Sequence, residues 1–356
     1  MDTDTDTAPV AGVDELEKHL DQLLADPAQP PTVKLFDDVE LQLNQANTPP
    51  LIPRLLPKLI EILQQYQEDP AVLCSLAVRL LRPLAFTQVL SLASEESLVQ
   101  ALRSPAPSTN LLAMAVLEKA TVSPGNAALV AMMSHFFAAF LTTWLSAPQV
   151  EVGEKGTKVL GDLLDADYKE PEPREGMQVA VRSKPNGQGM VWRRITLDRN
   201  TYGLFLSLAS RHQNTDDGGL SKHQLTLAQG RLLRLMPRLA ALDLATVTRT
   251  RFPDLHERYG GTASKDQGLL HFVALHMVDK EDDLMHLNLV AFFQTLVILQ
   301  RTTPYSEFKI ITLRKLMEEA LEGDDRLRIA MTTLPDHMVP EEAEDMRNFI
   351  REIIQL

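Results

Sequence analysis

Histidine can hold a metal ion or act as a general base near neutral pH, and this 356-residue sequence contains nine histidines. His271 and His276 lie five positions apart, which on a helix places them about 140° out of phase. The HExxH spacing, which aims two ligands from one helical face, does not occur. His256 lies near Asp254 and Glu257, a grouping typical of the solvated end of a helix. The sequence therefore predicts no metal site.

Phosphate loops and activated nucleophiles are missing as well. The paired glycines at 187 and 189, 218 and 219, and 260 and 261 fit neither GxxxxGK[ST] nor GxGxxG, so they predict turns. The single cysteine, Cys74, falls in an apolar helical segment without a partner histidine, and no GxSxG elbow occurs. We therefore expect no cofactor and no enzymatic activity. One cysteine also indicates a reducing compartment, so the expected location is the cytoplasm, with the nucleus as a second compartment.

Composition indicates that helices position whatever site exists. Apolar residues make up 44% of the chain and aromatic residues only 5%, with Leu, Ala and Met favoured over typical strand formers. Leu51, Leu55, Leu59 and Ile62 share one helical face, and a second segment from Leu73 repeats the pattern. The charge-free stretch 120–150 contains His135 and is bounded by prolines, so it predicts a buried core helix and no membrane span.

Prolines punctuate this helical pattern at regular intervals. Pro70 and Pro105 are 35 residues apart, and Pro105 and Pro148 are 43 apart. Proline fits the first turn of a helix, where its missing N–H would be unpaired anyway. The intervals bracket the repeat length of HEAT and armadillo units. The predicted fold class is all-α: an α-solenoid of HEAT/armadillo-like helical repeats.

The pattern breaks near residue 170, where Pro, Glu and Gly dominate. We predict a loop or short hairpin insertion at 169–194, with helices resuming at about Asp198. The same periodicity predicts a first helix at 13–24 and later helices at 266–278, 284–299, 307–321 and 341–354. The expected domain organisation is a disordered acidic tail at 1–12, N-terminal repeats at 13–168, the insertion, and C-terminal repeats with a cap at 195–356.

Several segments resemble one family. They are the runs 110–120, 123–125, 144–146, 150–165 and 192–202. Together they resemble a HEAT-repeat chaperone of proteasome assembly, the non-ATPase subunit 5 type of the regulatory particle, whose fungal members are also labelled DNA mismatch repair proteins. The resemblance extends from about residue 50 to 210 and fades beyond it.

The resemblance implies a non-enzymatic binding protein that assembles the base of the 26S proteasome's regulatory particle. Its partner would be the C-terminal domain of an AAA-type ATPase subunit, held in the solenoid groove, and the chaperone would otherwise be a monomer. Two alternatives stay open: another HEAT/armadillo adaptor in transport or signalling, and a DNA mismatch repair factor. The net charge of −13 disfavours nucleic acid as the partner.

Charge is distributed unevenly along the chain. Residues 182–251 hold twelve Lys and Arg against four acids, a local charge of +8. This basic band is either a solvated surface paired with neighbouring acids or a surface for an acidic protein. Candidate partner-binding residues are the spare faces of two predicted groove helices and the cluster after the insertion: Asn110, Met114, Glu118, Glu154, Lys155, Lys158, Asp162, Asp165, Arg193, Arg194, Arg199 and Tyr202.

Overall fold

The computed structural model describes residues 9–169, 186–212 and 219–354. Helices account for 74% of the described residues, and no strand occurs among them. The all-α prediction is therefore confirmed, and the order of helical packing is that of an α-solenoid. The chain forms two compact units that divide after Thr143.

Unit 1 contains the helices up to that division. Its elements are α1 (Val13–Ala25), α2 (Val33–Gln42), a 3₁₀ turn (Pro49–Leu51), α3 (Ile52–Gln65), α4 (Ala71–Leu81), α5 (Phe86–Leu90), α6 (Glu95–Arg103), α7 (Pro107–Ala120), α8 (Pro124–Met132) and most of α9 (Ser134–Ser146). Prolines open α7 and α8 and precede α3 and α4, as their spacing predicts. Each helix packs mainly on helices one to three places away in the chain.

The apolar stretch 120–150 is two helices rather than the single one that we predict from sequence. Helices α8 and α9 meet at 93°, because Met133 leaves helical geometry between them. The predicted burial is confirmed for Phe136, Phe137 and Phe140, which are fully enclosed, while Met132 is exposed.

Unit 2 follows with the remaining helices. They are α10 (Val150–Asp167), α11 (Met190–Leu197), α12 (Arg199–Ala209), α13 (Lys222–Leu242), α14 (Leu244–Thr248), α15 (Pro253–Arg258), α16 (Leu269–His271) running into a π-helix (Phe272–His276), α17 (Asp283–Thr302), α18 (Glu307–Leu321), α19 (Asp325–Thr333), a 3₁₀ turn (Leu334–His337) and α20 (Pro340–Ile353). Helix α13 is central, since it packs against α10, α12, α14 and α17.

Two sequence predictions in unit 2 need correction. Most of the insertion at 169–194, residues 170–185, lies outside the described residues, so its hairpin stays a prediction there. From Met190 onward the chain is helix α11, not strand, because the buried Asp167 carboxylate accepts the N–H groups of Val191 (2.6 Å) and Trp192 (3.4 Å) at the start of that helix. The helix predicted over 266–278 begins only at Leu269 and is largely π-helical.

Cationic side chains close the C-terminal ends of several helices. Lys119 donates to the Arg82 and Leu84 carbonyls after α4, at 3.1 and 2.9 Å. The buried Lys309 ammonium donates to the Gln300 and Thr303 carbonyls at the end of α17, both at 3.0 Å. The last carbonyls of a helix have no intrahelical donors and carry the negative end of its dipole. Each cation therefore both satisfies and neutralises the helix end that it reaches.

Helix α17 is, by length and composition, apolar enough to cross a membrane, and 44% of its most apolar window is buried inside the protein. Core helices of soluble proteins pass the same test. Within the described residues, α8 and α9 would pass it only as one span, which their bend interrupts.

Candidate protein-binding site

Two glycines of helix α10 lie directly against two arginines of its neighbour α13. A Cβ atom built on Gly153 would stand 2.1 Å from Arg231 Nε, and one on Gly161 would stand 2.4 Å from Arg238 Nη1. Both distances are far below van der Waals contact. At Gly153 the facing Arg231 is buried, so a larger residue there would force α10 and α13 apart or displace Arg231, whereas the half-exposed Arg238 opposite Gly161 has room to move.

The Arg231 side chain fixes the end of α9 while it packs on α10. Its Nη1 donates to the carbonyls of Trp144 (2.7 Å) and Leu145 (3.0 Å), and its Nη2 donates to that of Gln149 (3.0 Å). Arg231 is only 7% exposed. It is a structural cap and is not available to a partner.

The next two arginines of α13 pair with the acids of α10. Arg234 forms an ion pair with Glu154, and Arg238 donates to Asp162 at 3.0 Å. Lys158 also donates to Asp162, at 2.9 Å. Burial opposes ionisation of Asp162, but the hydrogen bonds from Lys158 and Arg238 outweigh burial, so the pKa of Asp162 lies below its ordinary value. In the middle of the basic band, the arginines are therefore paired within the protein.

The predicted spare face of α10 is in part confirmed. Glu154 and Lys158 are exposed, and Lys155, Asp162 and Asp165 are half-buried. Arg238 also approaches Asp165, at 4.0 Å. This face therefore joins α10 to α13, a contact that the sequence pattern does not reveal.

The predicted spare face of α7 is wrong for two of its three residues. Asn110 is buried, and its Nδ2 donates to the carbonyls of Ala101 (3.0 Å), Leu102 (2.8 Å) and Ser104 (3.0 Å) at the end of α6. Met114 is fully buried, while Glu118 is half-buried. Helix α7 packs against α4, α5, α6 and α8, so neighbours cover most of its circumference.

Three of the four predicted residues in the cluster after the insertion contact other side chains that join helices or hold helix ends. Tyr202 is 2% exposed, and its hydroxyl lies 2.6 Å from His256 Nε2, so the prediction that it contacts a partner is wrong. Burial raises the pKa of Tyr202 well above its ordinary value. Arg194 pairs with Asp198 at 3.0 Å, and Arg199 pairs with Asp254 on α15.

Arg193 and Arg199 are the exposed members of this cluster, and the Nη1 of Arg193 lies 3.9 Å from Met190 Sδ.

The histidines considered for metal binding lie in the interior. His256 and His271 are 1% and 3% exposed, so the expectation that His256 lies at a solvated helix end is wrong. Burial lowers the pKa of each to about 4, and neighbouring positive charge adds to this effect. Among the described residues, no three His, Cys, Asp or Glu side chains lie close enough together to hold a metal ion.

A groove of about 430 Å³ lies in unit 2 between α10, α13 and α17. Val150 (62% exposed) and Leu284 (68%) stand at its edges. In its floor lies Gly230, where an added Cβ would meet no atom within 4 Å. Along the described α13–α17 contact, no side-chain hydrogen bond or ion pair joins the two helices. The seam is apolar, whereas the α10–α13 seam beside it is charged.

Helix α17 supplies an uncharged exposed face to this groove. Its outward residues are Leu284, Leu287, Asn288, Ala291 and Thr295. Leucines that are more than half exposed on a helix otherwise packed in a core indicate a surface for another protein. Sequence reasoning missed this face, although the run 284–300 without Asp, Glu, Lys or Arg was a usable signal.

Stacked helices with an open apolar groove and charged rims are typical of helical-repeat proteins that bind other proteins. Residues 17–142 match the family described as "DNA mismatch repair protein HSM3, N terminal domain". The match covers about a third of the chain, and it agrees with the family that the sequence resembles. At family level the match supports a proteasome assembly chaperone. No curated protein matches the chain significantly.

Proposed function

We propose that this protein is a non-enzymatic assembly chaperone for the base of the proteasome's regulatory particle. It binds the C-terminal domain of an ATPase subunit in the groove between α10, α13 and α17, holds that subunit in an assembly intermediate, and leaves the finished particle. It acts in the cytoplasm and nucleus, as a monomer when unbound.

The observation that carries the proposal is the apolar seam between α13 and α17. Exposed Leu284 and Val150 flank a floor opened by Gly230, so side chains of an incoming helix can enter the groove without displacing any part of this protein. Glu154 and Arg234 form an ion pair at the rim of the groove. On binding, this pair can break, and both side chains can contact the partner instead. Apolar burial would supply affinity, and the rim would supply orientation.

The class of partner in this proposal comes from the sequence resemblance, and the family match supports the role in proteasome assembly at family level. The matched residues, 17–142, precede the groove, so they support the family role without testing this surface. The partner assignment therefore depends on a direct binding measurement.

The experiment titrates separately purified C-terminal domains of the regulatory particle's ATPase subunits into the full chain by fluorescence anisotropy. The key variant is Gly230→Lys, which places a long charged side chain in the groove at a position with open space. We expect one ATPase domain to bind, and the variant to bind it at least about tenfold more weakly. Gly125→Lys in α8 is the matched control, because its Cβ also meets no atom within 4 Å.

Equal binding of the ATPase domain by wild type and Gly230→Lys would show that the groove is not the binding site. If no ATPase domain binds, the adaptor alternative replaces the chaperone proposal. The repair alternative has its own test, a titration with duplex DNA across salt concentrations, in which a steep loss of affinity with salt would support it.

A further inference from the structure

Arginines in the middle of the basic band at 182–251 form ion pairs with carboxylates, whereas the two arginines at its C-terminal end form none with any described residue. Arg194, Arg199, Arg211, Arg234 and Arg238 each have a carboxylate partner. Arg249 and Arg251 are exposed and form no ion pair with any described residue. The groove of the proposed function does not include either arginine.

Backbone geometry presents these two arginines on one side of the chain. Arg249 is extended (φ −116°, ψ 153°), and the residue between them, Thr250, is 7% exposed. Alternate side chains of an extended segment point the same way, so Arg249 and Arg251 both face solvent. The Thr250 N–H donates to the Lys265 carbonyl at 2.9 Å, which brings the exposed Lys265 beside them.

Exposed apolar side chains lie next to these cations at the start of α18. The guanidinium carbon of Arg249 is 5.3 Å from the ring centroid of Phe308. Tyr305 is 69% exposed and Ile311 is 56% exposed, and Ile311 lies one helical turn beyond Phe308. We name the six residues Arg249, Arg251, Lys265, Tyr305, Phe308 and Ile311 the basic-aromatic patch.

We propose that the basic-aromatic patch binds an acidic peptide segment that carries large apolar residues beside its acids. The cations select the acids, and the aromatic and aliphatic side chains select the apolar part. Two acids, Asp266 and Glu307, border the patch, and Glu307 lies on the α18 side. The acidic part of the ligand therefore lies along Arg249 and Arg251, and its apolar part lies along α18.

Nucleic acid fits this patch less well. Only three unpaired cations are present, so few phosphates would be neutralised, and the net charge of −13 repels a polyanion. The same charge opposes an anionic membrane surface. An acidic peptide needs only a few local charges and gains from the apolar contacts.

The test uses a short fluorescein-labelled peptide in which a run of glutamates precedes leucine and phenylalanine, and a twin with glutamines in place of the glutamates. We expect the full chain to bind the acidic peptide, with affinity falling as salt rises, and to bind its twin at least about tenfold more weakly. R249E/R251E and, separately, I311D should each weaken binding of the acidic peptide about tenfold or more. K18E/K34E reverses two exposed, unpaired lysines in unit 1 and should leave binding unchanged.

The proposal is overturned if the acidic peptide does not bind, if the glutamine twin binds equally well, or if R249E/R251E binds like wild type. Tighter binding of duplex DNA or phosphatidylserine vesicles through the same arginines would also overturn it. Gly230→Lys should retain peptide binding, which separates this site from the groove of the proposed function.

Discussion

Gly153 and Arg231 are in such close contact that the hydrogen of the glycine cannot be replaced by a methyl group. A Cβ there would stand 2.1 Å from the Nε of an arginine that holds three backbone carbonyls around the end of α9. The contact therefore links the distance between α10 and α13 to the hydrogen bonds that Arg231 makes at the C-terminal end of α9.

Gly153→Ala should therefore destabilise unit 2. Either the helices separate or Arg231 leaves its carbonyls, and we expect a loss of about 3 kcal/mol in the free energy of unfolding. Urea unfolding followed by far-ultraviolet circular dichroism measures it. Gly230→Ala is the control, since it adds the same methyl group to open space and should gain up to about 1 kcal/mol. Equal stability of the two variants would refute the close contact.

Lys309→Met should cost about 2 kcal/mol of unfolding free energy, because the Thr303 carbonyl loses its donor and the Gln300 carbonyl keeps only its bonds from Thr303. Burial lowers the pKa of Lys309, so methionine recovers part of the desolvation cost. The exposed Lys315→Met in the same helix should change stability by less than about 0.5 kcal/mol. A thermal unfolding comparison in which both variants melt alike would contradict the capping role.

Asn110→Ala should lower stability by about 2 kcal/mol, since three carbonyls at the end of α6 lose their shared donor. Binding of the ATPase domain should be unchanged at temperatures where the variant is folded. Asn200→Ala, at an exposed position of α12, is the matched control. A variant that folds normally but loses binding of the ATPase domain would show that Asn110 contributes to partner binding.

Acid should destabilise unit 2 through its buried histidines. The pKa values of His256 and His271 are about 4 in the folded protein, below the ordinary 6.5, so the unfolded chain binds their protons first. Their neutral forms contribute full stability above pH 6.5, and that contribution falls as pH decreases from 6.5 towards 4, by up to about 3 kcal/mol for each. The measurement is unfolding free energy against pH for wild type and His271→Phe. The variant should have a shallower slope in this window, and parallel curves would count against the histidine.

Periodicity and proline spacing were sufficient to predict most of the long helices. Helix α18 begins and ends where the sequence pattern places it, and α1 and α20 agree within a residue. These signals are local, because a helix closes its hydrogen bonds within its own segment. Helix α11 was missed because its start depends on Asp167, which precedes Val191 by 24 residues and lies before the insertion.

The candidate site was only partly predictable, for a related reason. Glu154 and Lys158 were correctly placed on an outward face, because α10 has a clear apolar stripe. Asn110, Met114 and Tyr202 were not, because their burial depends on helices that pack around them from elsewhere in the chain. The exposed α17 face carries no charged residue, so apart from the uncharged run itself the sequence does not separate its outward side chains from the buried ones.

The contacts of Arg231 with the end of α9 form late during synthesis of the chain. The bond from Arg231 to the Trp144 carbonyl spans 87 residues of sequence. At a synthesis rate of about 5 to 20 residues per second, the ribosome needs roughly 4 to 17 seconds to make the donor after the acceptor. During that interval the carbonyls at the end of α9 lack the Arg231 donor, and the glycines of α10 are not yet in contact with the arginines of α13. The nascent chain therefore passes through a stage in which these backbone groups are exposed to solvent.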